Sequence, residues 1–319
     1  MTKYFFLNFI LVVGLSVVFQ LPAQASPQPA PAGGPIEKFA AFDDTNNSDL
    51  SANSFQAVLD ALYGENADPD TLMDYGRLSE EGGRVLRSYL SGLQRIPVTQ
   101  LNRNEQLAYW LNFYNAASLN FVLNEFKRLS KRNSASGSSR FRQSNDMKVK
   151  RFFLDEDGPW TQPHYEIEGE QLSVNDIEHR ILLAHWDDPR VIYGLYCPAK
   201  SCPAMPQKAF TGPRVWIQLD AAAKAYVGRK EGAKVSRGDL EVSSLYRLHR
   251  DRFPDDAAII AHLKKVGGPE MESELYGITQ VDDDDFNWRL GGTPPPAGWS
   301  MPSRGVSNRG AGFGANPYE

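Results

Sequence analysis

The stretch Asp187–Pro203, DDPRVIYGLYCPAKSCP, decides how the rest of the chain is read. A polar opening leads into an apolar run, Val191-Ile192-Tyr193-Gly194-Leu195-Tyr196, which predicts a short buried strand. The loop that follows is bracketed by Cys197 and Cys202, the only 2 cysteines in 319 residues. A proline comes after each of them, Pro198 and Pro203. Because proline removes a backbone donor and biases the preceding residue towards extended geometry, neither cysteine can sit inside a helix or a central strand. A stiff loop at the end of a buried strand is expected, and it suits a reactive thiol and a disulfide equally well.

Immediately upstream, Ser173-Val174-Asn175-Asp176 has the pattern of a capping box, so Asp176–Ala184 is predicted to be a helix carrying Glu178 and His179. Tyr165–Leu172 reads as a tight hairpin turning at Gly169, and Phe152–Leu154 as a short strand. Further back lies the longest helical pattern, Thr99–Leu129. Its apolar residues, among them Leu107, Trp110, Leu111, Tyr114, Phe121 and Val122, wrap more than one face, as a central helix requires. Asn112 and Asn115 share an otherwise apolar side of that helix. A buried carboxamide costs a few kcal/mol unless its hydrogen bonds are met, so the pair must anchor a loop or point into a cavity. Two further helices precede it. One begins at Ser54, with Phe55, Val58, Leu59 and Leu62 as its stripe; the other opens at Ser79, with Glu80 and Glu81 at its positive end, and stops at Pro97.

Downstream, Val215–Val227 is amphipathic, and Lys234–Val242 forms a second hairpin about Arg237-Gly238-Asp239. Ser244–Phe253 and Ala257–Val266 read as helices and Gly277–Val281 as a strand leading into Asp282–Asp285. The fold class predicted is α+β, one domain with helices packed around a small, mainly antiparallel sheet.

A hydrophobic content of 41% supports a sizeable core, and the net charge of −5 argues against nonspecific nucleic-acid binding, which needs a basic surface. Residues 1–25 have the form of a cleaved signal peptide: Lys3, an apolar run from Tyr4 to Phe19, then Ala23-Gln24-Ala25. The alternative is an uncleaved anchor, for which the run is short. An exported, periplasmic or secreted protein without a membrane span after cleavage is expected, and in an oxidising compartment two cysteines are normally paired. Residues 26–47 read as a linker, 48–95 as an N-terminal helical region and 96–290 as the main domain. The basic run 130–145 reads as a disordered insertion, and 291–319 as a disordered Gly/Pro-rich tail.

No HExxH, GxSxG, P-loop or dinucleotide fingerprint occurs, and Asp282–Asp285 lacks the alternation and glycine of a calcium loop, so neither a metal nor a cofactor is expected. Cysteine and histidine remain. A thiol nucleophile needs a base within reach and a group to orient that base. Cys202 is the candidate nucleophile and His179 the base, with Asn112, Glu178 or Asp188 orienting it. Asn115, Tyr114, Arg190 and Cys197 are the candidate binding residues. That constellation would serve hydrolysis or acyl transfer at an amide or ester bond of a small-molecule or peptide-like substrate. A Cys197–Cys202 disulfide would instead make the same residues the lining of a noncatalytic binding or scaffold module.

Five blocks, AYWLNFYNA (Ala108–Ala116), LSVNDIEHRIL (Leu172–Leu182), DPRVIYGLYCPAKSCP (Asp188–Pro203), VSSLYRLHRDRF (Val242–Phe253) and FNWRL (Phe286–Leu290), stand in one order. In that order they resemble the family catalogued as domain of unknown function 547, over roughly residues 93–290. The Asn-x-Tyr-Asn helix, the Ile-Glu-His helix and the Cys-x4-Cys-Pro loop of that family fall on Asn112, Tyr114, Asn115, Glu178, His179, Cys197 and Cys202. Pro198, where small residues are more usual, and the long basic insertion depart from it. The resemblance implies a shared fold and leaves the activity open.

Overall fold

The structure, a computed structural model, describes residues 33–64, 67, 71–135 and 158–295. The leader, the strand expected at Phe152–Leu154 and most of the basic run and tail lie outside these residues.

Helix α1 (Asn53–Tyr63) buries Phe55, Val58, Leu59 and Leu62 completely, the stripe its spacing predicts. Helix α2 (Glu80–Leu93) starts where Ser79 accepts a hydrogen bond from the Gly82 amide, with Glu80 and Glu81 facing the positive end of the dipole. Helix α1 packs on α2, where Phe55 stacks on Tyr89, and α2 packs on α3 (Arg103–Ala135), the longest helix among the described residues. The first six residues of the expected disordered run, 130–135, continue α3, which is a correction: adding residues to a helix already nucleated needs only one further hydrogen bond each.

Strands β1 (Tyr165–Ile167) and β2 (Glu170–Leu172) form the first hairpin, turning through Glu168 (φ 50°) and Gly169 (φ 83°), two successive left-handed residues that match the twist of paired strands. Helix α4 covers residues 174–185 and opens with a full capping box between Ser173 and Asp176. Its middle, Ile177–Leu182, is wound as a π-helix, a rare irregularity that is frequent at functional sites.

The expected strand at 191–196 is absent. Pro189–Gly194 is a 3₁₀-helix, because Pro189 sits in its first turn with φ preset, Asp188 caps the Arg190 amide, and no strand among the described residues pairs with it. A Cβ at Gly194 would come within 2.8 Å of a Leu219 methyl and 2.9 Å of a Leu111 methyl, so a larger residue there would push those buried side chains aside. Helix α5 (Val215–Val227) packs on this 3₁₀ turn. Strands β3 (Ala233–Ser236) and β4 (Asp239–Ser243) form the second hairpin, turning through Arg237 and Gly238. Only Leu245–Leu248, α6, is helical in the predicted 244–253 segment; His249 leaves helical geometry and Pro254 prevents recovery. Helix α7 (Asp256–Glu274) is kinked at Gly268, just before Pro269. The last strand, β5, is Asp283–Asp285 rather than 277–281, and it runs parallel to β4. Pairing starts at Asp282, whose amide donates to the Leu240 carbonyl while its carboxylate accepts from the Leu240 amide.

The architecture is α+β, as expected, with one difference. There are two small sheets among the described residues, β1-β2 and β3-β4-β5, and the helices pack chiefly on one another. A large core surrounds α3, and a second gathers α5, β3, β4 and α7. Tyr193 of the 3₁₀ turn belongs to the second while Val191 and Leu195 belong to the first, so the opening stretch is the seam between them.

Candidate functional site

Asn112 and Asn115 act on backbone, each with both ends of its carboxamide. Asn112 donates to the Phe210 carbonyl at 2.8 Å and accepts from the Phe210 amide at 2.9 Å. Asn115 donates to the Gly194 carbonyl at 2.9 Å and accepts from the Tyr196 amide at 3.0 Å. Fully buried, Asn115 thus holds the chain on both sides of Leu195 as it enters the cysteine loop. Of the two roles the sequence allows a buried carboxamide, these bonds realise the anchoring one.

The cysteine loop is saturated in the same way. Cys197 and Cys202 are joined as a disulfide, with Cα atoms 5.5 Å apart and both residues buried. Inside the loop the Cys202 amide bonds to the Ala199 carbonyl. Arg229 donates to the carbonyls of Cys202 (3.3 Å) and Lys200, and the Tyr226 hydroxyl donates to that of Ser201 at 2.6 Å. From the other side, the Lys200 amide reaches Arg289 O at 2.8 Å and the Gly291 amide reaches Pro198 O at 2.7 Å. None of Arg229, Tyr226 or residues 287–291 was singled out for the site from sequence. The signal available was the FNWRL block itself, a late motif without chemistry of its own.

Glu178 and His179 lie on the π-helical turn of α4. Glu178, buried, accepts from the Tyr114 hydroxyl at 2.7 Å, joining α4 to α3. His179 Nε2 is buried 3.8 Å from Glu178 Oε1, beyond hydrogen-bond length. Within electrostatic reach of it is the buried His249, a residue the sequence gave no reason to select. Burial, then the charges of His179 and Arg252, lower its pKa to about 3, so it is neutral. The structure therefore brings together Tyr114, Glu178, His179 and His249 as one cluster, and Asn112, Asn115, Cys197 and Cys202 as a loop-anchoring set.

Arg190 belongs to neither. It pairs with Asp188 at 2.7 Å and with Asp220 at 2.7 Å and stands 5.0 Å over the Trp216 ring. The pairing holds Asp188 below the usual carboxylate range, chiefly through the Arg190 hydrogen bond. Asp188 therefore serves Arg190 and the 3₁₀ cap.

Two polar hollows open on the surface. One of about 400 Å³ is bounded by Asp44, Asp49, Asn102 and Glu105, and another of about 370 Å³ by Lys234, Arg237, Asp239 and Asp283. Neither is lined by Cys197, Cys202, Asn112, Asn115 or any histidine. Among the described residues, no three His, Cys, Asp or Glu side chains are grouped to hold a metal ion, and no helix is long and apolar enough to cross a membrane.

Residues 98–227 match the family described as protein of unknown function, DUF547. The resemblance read from the sequence is borne out over that segment, which runs from the approach to α3 to the end of α5 and contains every member of the two clusters except His249. The blocks at 242–253 and 286–290 lie beyond it. No curated protein and no solved structure matches the chain.

Proposed function

We propose that the chain is an exported, noncatalytic binding or scaffold module in which the CPAKSCP loop is a structural staple. The observation that carries this reading is the Cys197–Cys202 bond, set in a loop whose carbonyls and amides are already taken by Arg229, Tyr226, Arg289 and Gly291. A nucleophilic thiolate must be free, reachable and beside a base. Here both sulfurs are engaged and buried, and the candidate base His179 faces Glu178. The alternative, a thiol hydrolase or acyltransferase with Cys202 attacking and His179 as base, requires the bond to be broken in the working protein. Export through residues 1–25 supports the staple, since an oxidising compartment sustains it.

The test is a count of thiols in the protein recovered from its exported location and denatured in an alkylating reagent without reductant. An unshifted mass, with a shift of two alkyl groups only after reduction, is expected. Two thiols labelled before reduction would overturn the proposal and restore Cys202 as a nucleophile.

A further inference from the structure

After β5 the chain does not leave the fold. The Ser244 amide holds Asp285 O at 2.9 Å, tying the segment to the end of β4. The Asn287 amide then donates to Ser201 Oγ at 2.7 Å and the Ser201 amide to Asn287 O at 3.3 Å. Leu290, buried, pairs with Ala199 in an antiparallel bridge, flanked by the Lys200–Arg289 and Gly291–Pro198 bonds. Two residues later the Thr293 amide donates to Met73 O at 2.7 Å and Thr293 O accepts from the Tyr75 amide at 3.1 Å, between α1 and α2. One extended segment thus stitches the second core, the cysteine loop and the N-terminal helices.

The fit at its far end demands glycine. Gly292 has φ +88°, and a Cβ there would stand 2.6 Å from Met73 O and 3.1 Å from the Tyr75 ring. The fit at its middle depends on the loop: Pro198 O, Lys200 N and Ser201 N can line up as an edge only while residues 197–202 keep their turn, and the disulfide closes that turn.

We propose that residues 287–293 are a redox-coupled strap, whose docking and the Cys197–Cys202 bond stabilise each other. Coupling of this kind is reciprocal. Opening the ring restores chain entropy to the loop and loosens the strap, and lifting the strap uncovers the loop and eases attack on its disulfide. The chemistry is exchange with a dithiol reductant. One reductant thiolate attacks a cysteine sulfur, the S–S bond breaks, the second thiolate releases the mixed disulfide, and two protons end on Cys197 and Cys202 while the reductant leaves as its own cyclic disulfide. The inference rests on the staple proposed above.

Hydrogen exchange on the full chain, oxidised and after reduction with dithiothreitol, reads one direction of the coupling. Closure of a ring spanning a sequence separation of 5 is worth about a 30-fold change in local opening. The amides of Lys200, Ser201, Gly291 and Thr293 should lose protection by about that factor while those of the middle of α3 keep theirs. Gly292→Ala, far from the sulfurs in sequence, reads the other direction: the oxidised variant should be reduced by dithiothreitol several-fold faster than the parent. Unchanged strap protection on reduction, loss spread equally over α3, or an unchanged reduction rate in Gly292→Ala would each overturn the strap while leaving the staple intact. Free thiols in the untreated exported protein would overturn both.

Discussion

Replacing Asn115 by Ala tests the anchoring role on which the site rests. The substitution removes one donor and one acceptor at once, leaving the Gly194 carbonyl and the Tyr196 amide, both buried, without the partners they have at 2.9 and 3.0 Å. Each orphaned buried group costs about 1–3 kcal/mol, and the space left beside Gly194 adds to that, so a loss of about 3–5 kcal/mol is expected. That is a large part of the 5–15 kcal/mol typical of a folded domain. Urea unfolding at neutral pH, followed by tryptophan fluorescence with the disulfide intact, measures it as a shift of the midpoint at unchanged slope. Asn115→Asp sharpens the test: the acceptor for Tyr196 survives, but a carboxylate oxygen then faces the Gly194 carbonyl, and a buried charge is left without a counter-ion. Its deficit should shrink as the pH is lowered and the carboxyl takes up a proton to donate to Gly194. A loss below about 1 kcal/mol for Asn115→Ala, or no pH dependence in the difference between Asn115→Asp and the parent, would refute the anchoring argument and return the carboxamide to a ligand-facing role.

Replacing Cys197 and Cys202 together by Ser should lower stability by about 2 kcal/mol in the same titration, the loop-closure contribution for a separation of 5, and a change near zero would mean that the loop is held by its hydrogen bonds alone. Tyr114→Phe removes the 2.7 Å donor to Glu178 and should cost about 1–3 kcal/mol in the same titration; a loss near zero would show that the buried carboxylate does not depend on the hydroxyl. Stability should also fall in acid through two histidines. Burial holds His249 at about 3, facing His179 and Arg252, and His262 at about 4, facing Lys265, Asp188 and the Tyr193 hydroxyl. Both lie below the unfolded value of 6.5, so the unfolded chain takes up the proton first: the contribution is whole above pH 6.5 and is lost as the pH falls towards the folded values. For His249 this amounts to about 2 kcal/mol between pH 6.5 and 5, and to less for the partly exposed His262; a His249→Asn variant with the same acid slope as the parent would contradict it.

The amphipathic stripe of α1, the Ser79 and Ser173 caps, the two hairpins turning at Gly169 and Gly238, and the helix Val215–Val227 were all legible in the residues themselves, because each is set by neighbours within a few positions. Apolar runs were where local reading failed. Val191–Tyr196 has strand composition yet its first four residues lie in a 3₁₀ turn, since a strand needs a partner edge and none among the described residues pairs with it, whereas Asp188, Pro189 and the packing of α5 favour a tight coil. Gly277–Val281 gave way to Asp283–Asp285 for the same reason: the edge of β4 decided which residues pair.

The sequence by itself determined that two asparagines would be buried on one helix, that Glu178 and His179 would share a capped helix, and that two cysteines would bracket a stiff loop. Only the tertiary structure decided what those groups do. Asn115 finds its partner 81 residues away and Asn112 98 away, Glu178 meets Tyr114 across 64, and the cysteine loop is completed by residues nearly ninety positions downstream, as in the 86 separating Ser201 from Asn287. The physical reason is that a buried polar group must be satisfied by whatever the fold places beside it, and that neighbour is set by chain topology, which no local pattern encodes.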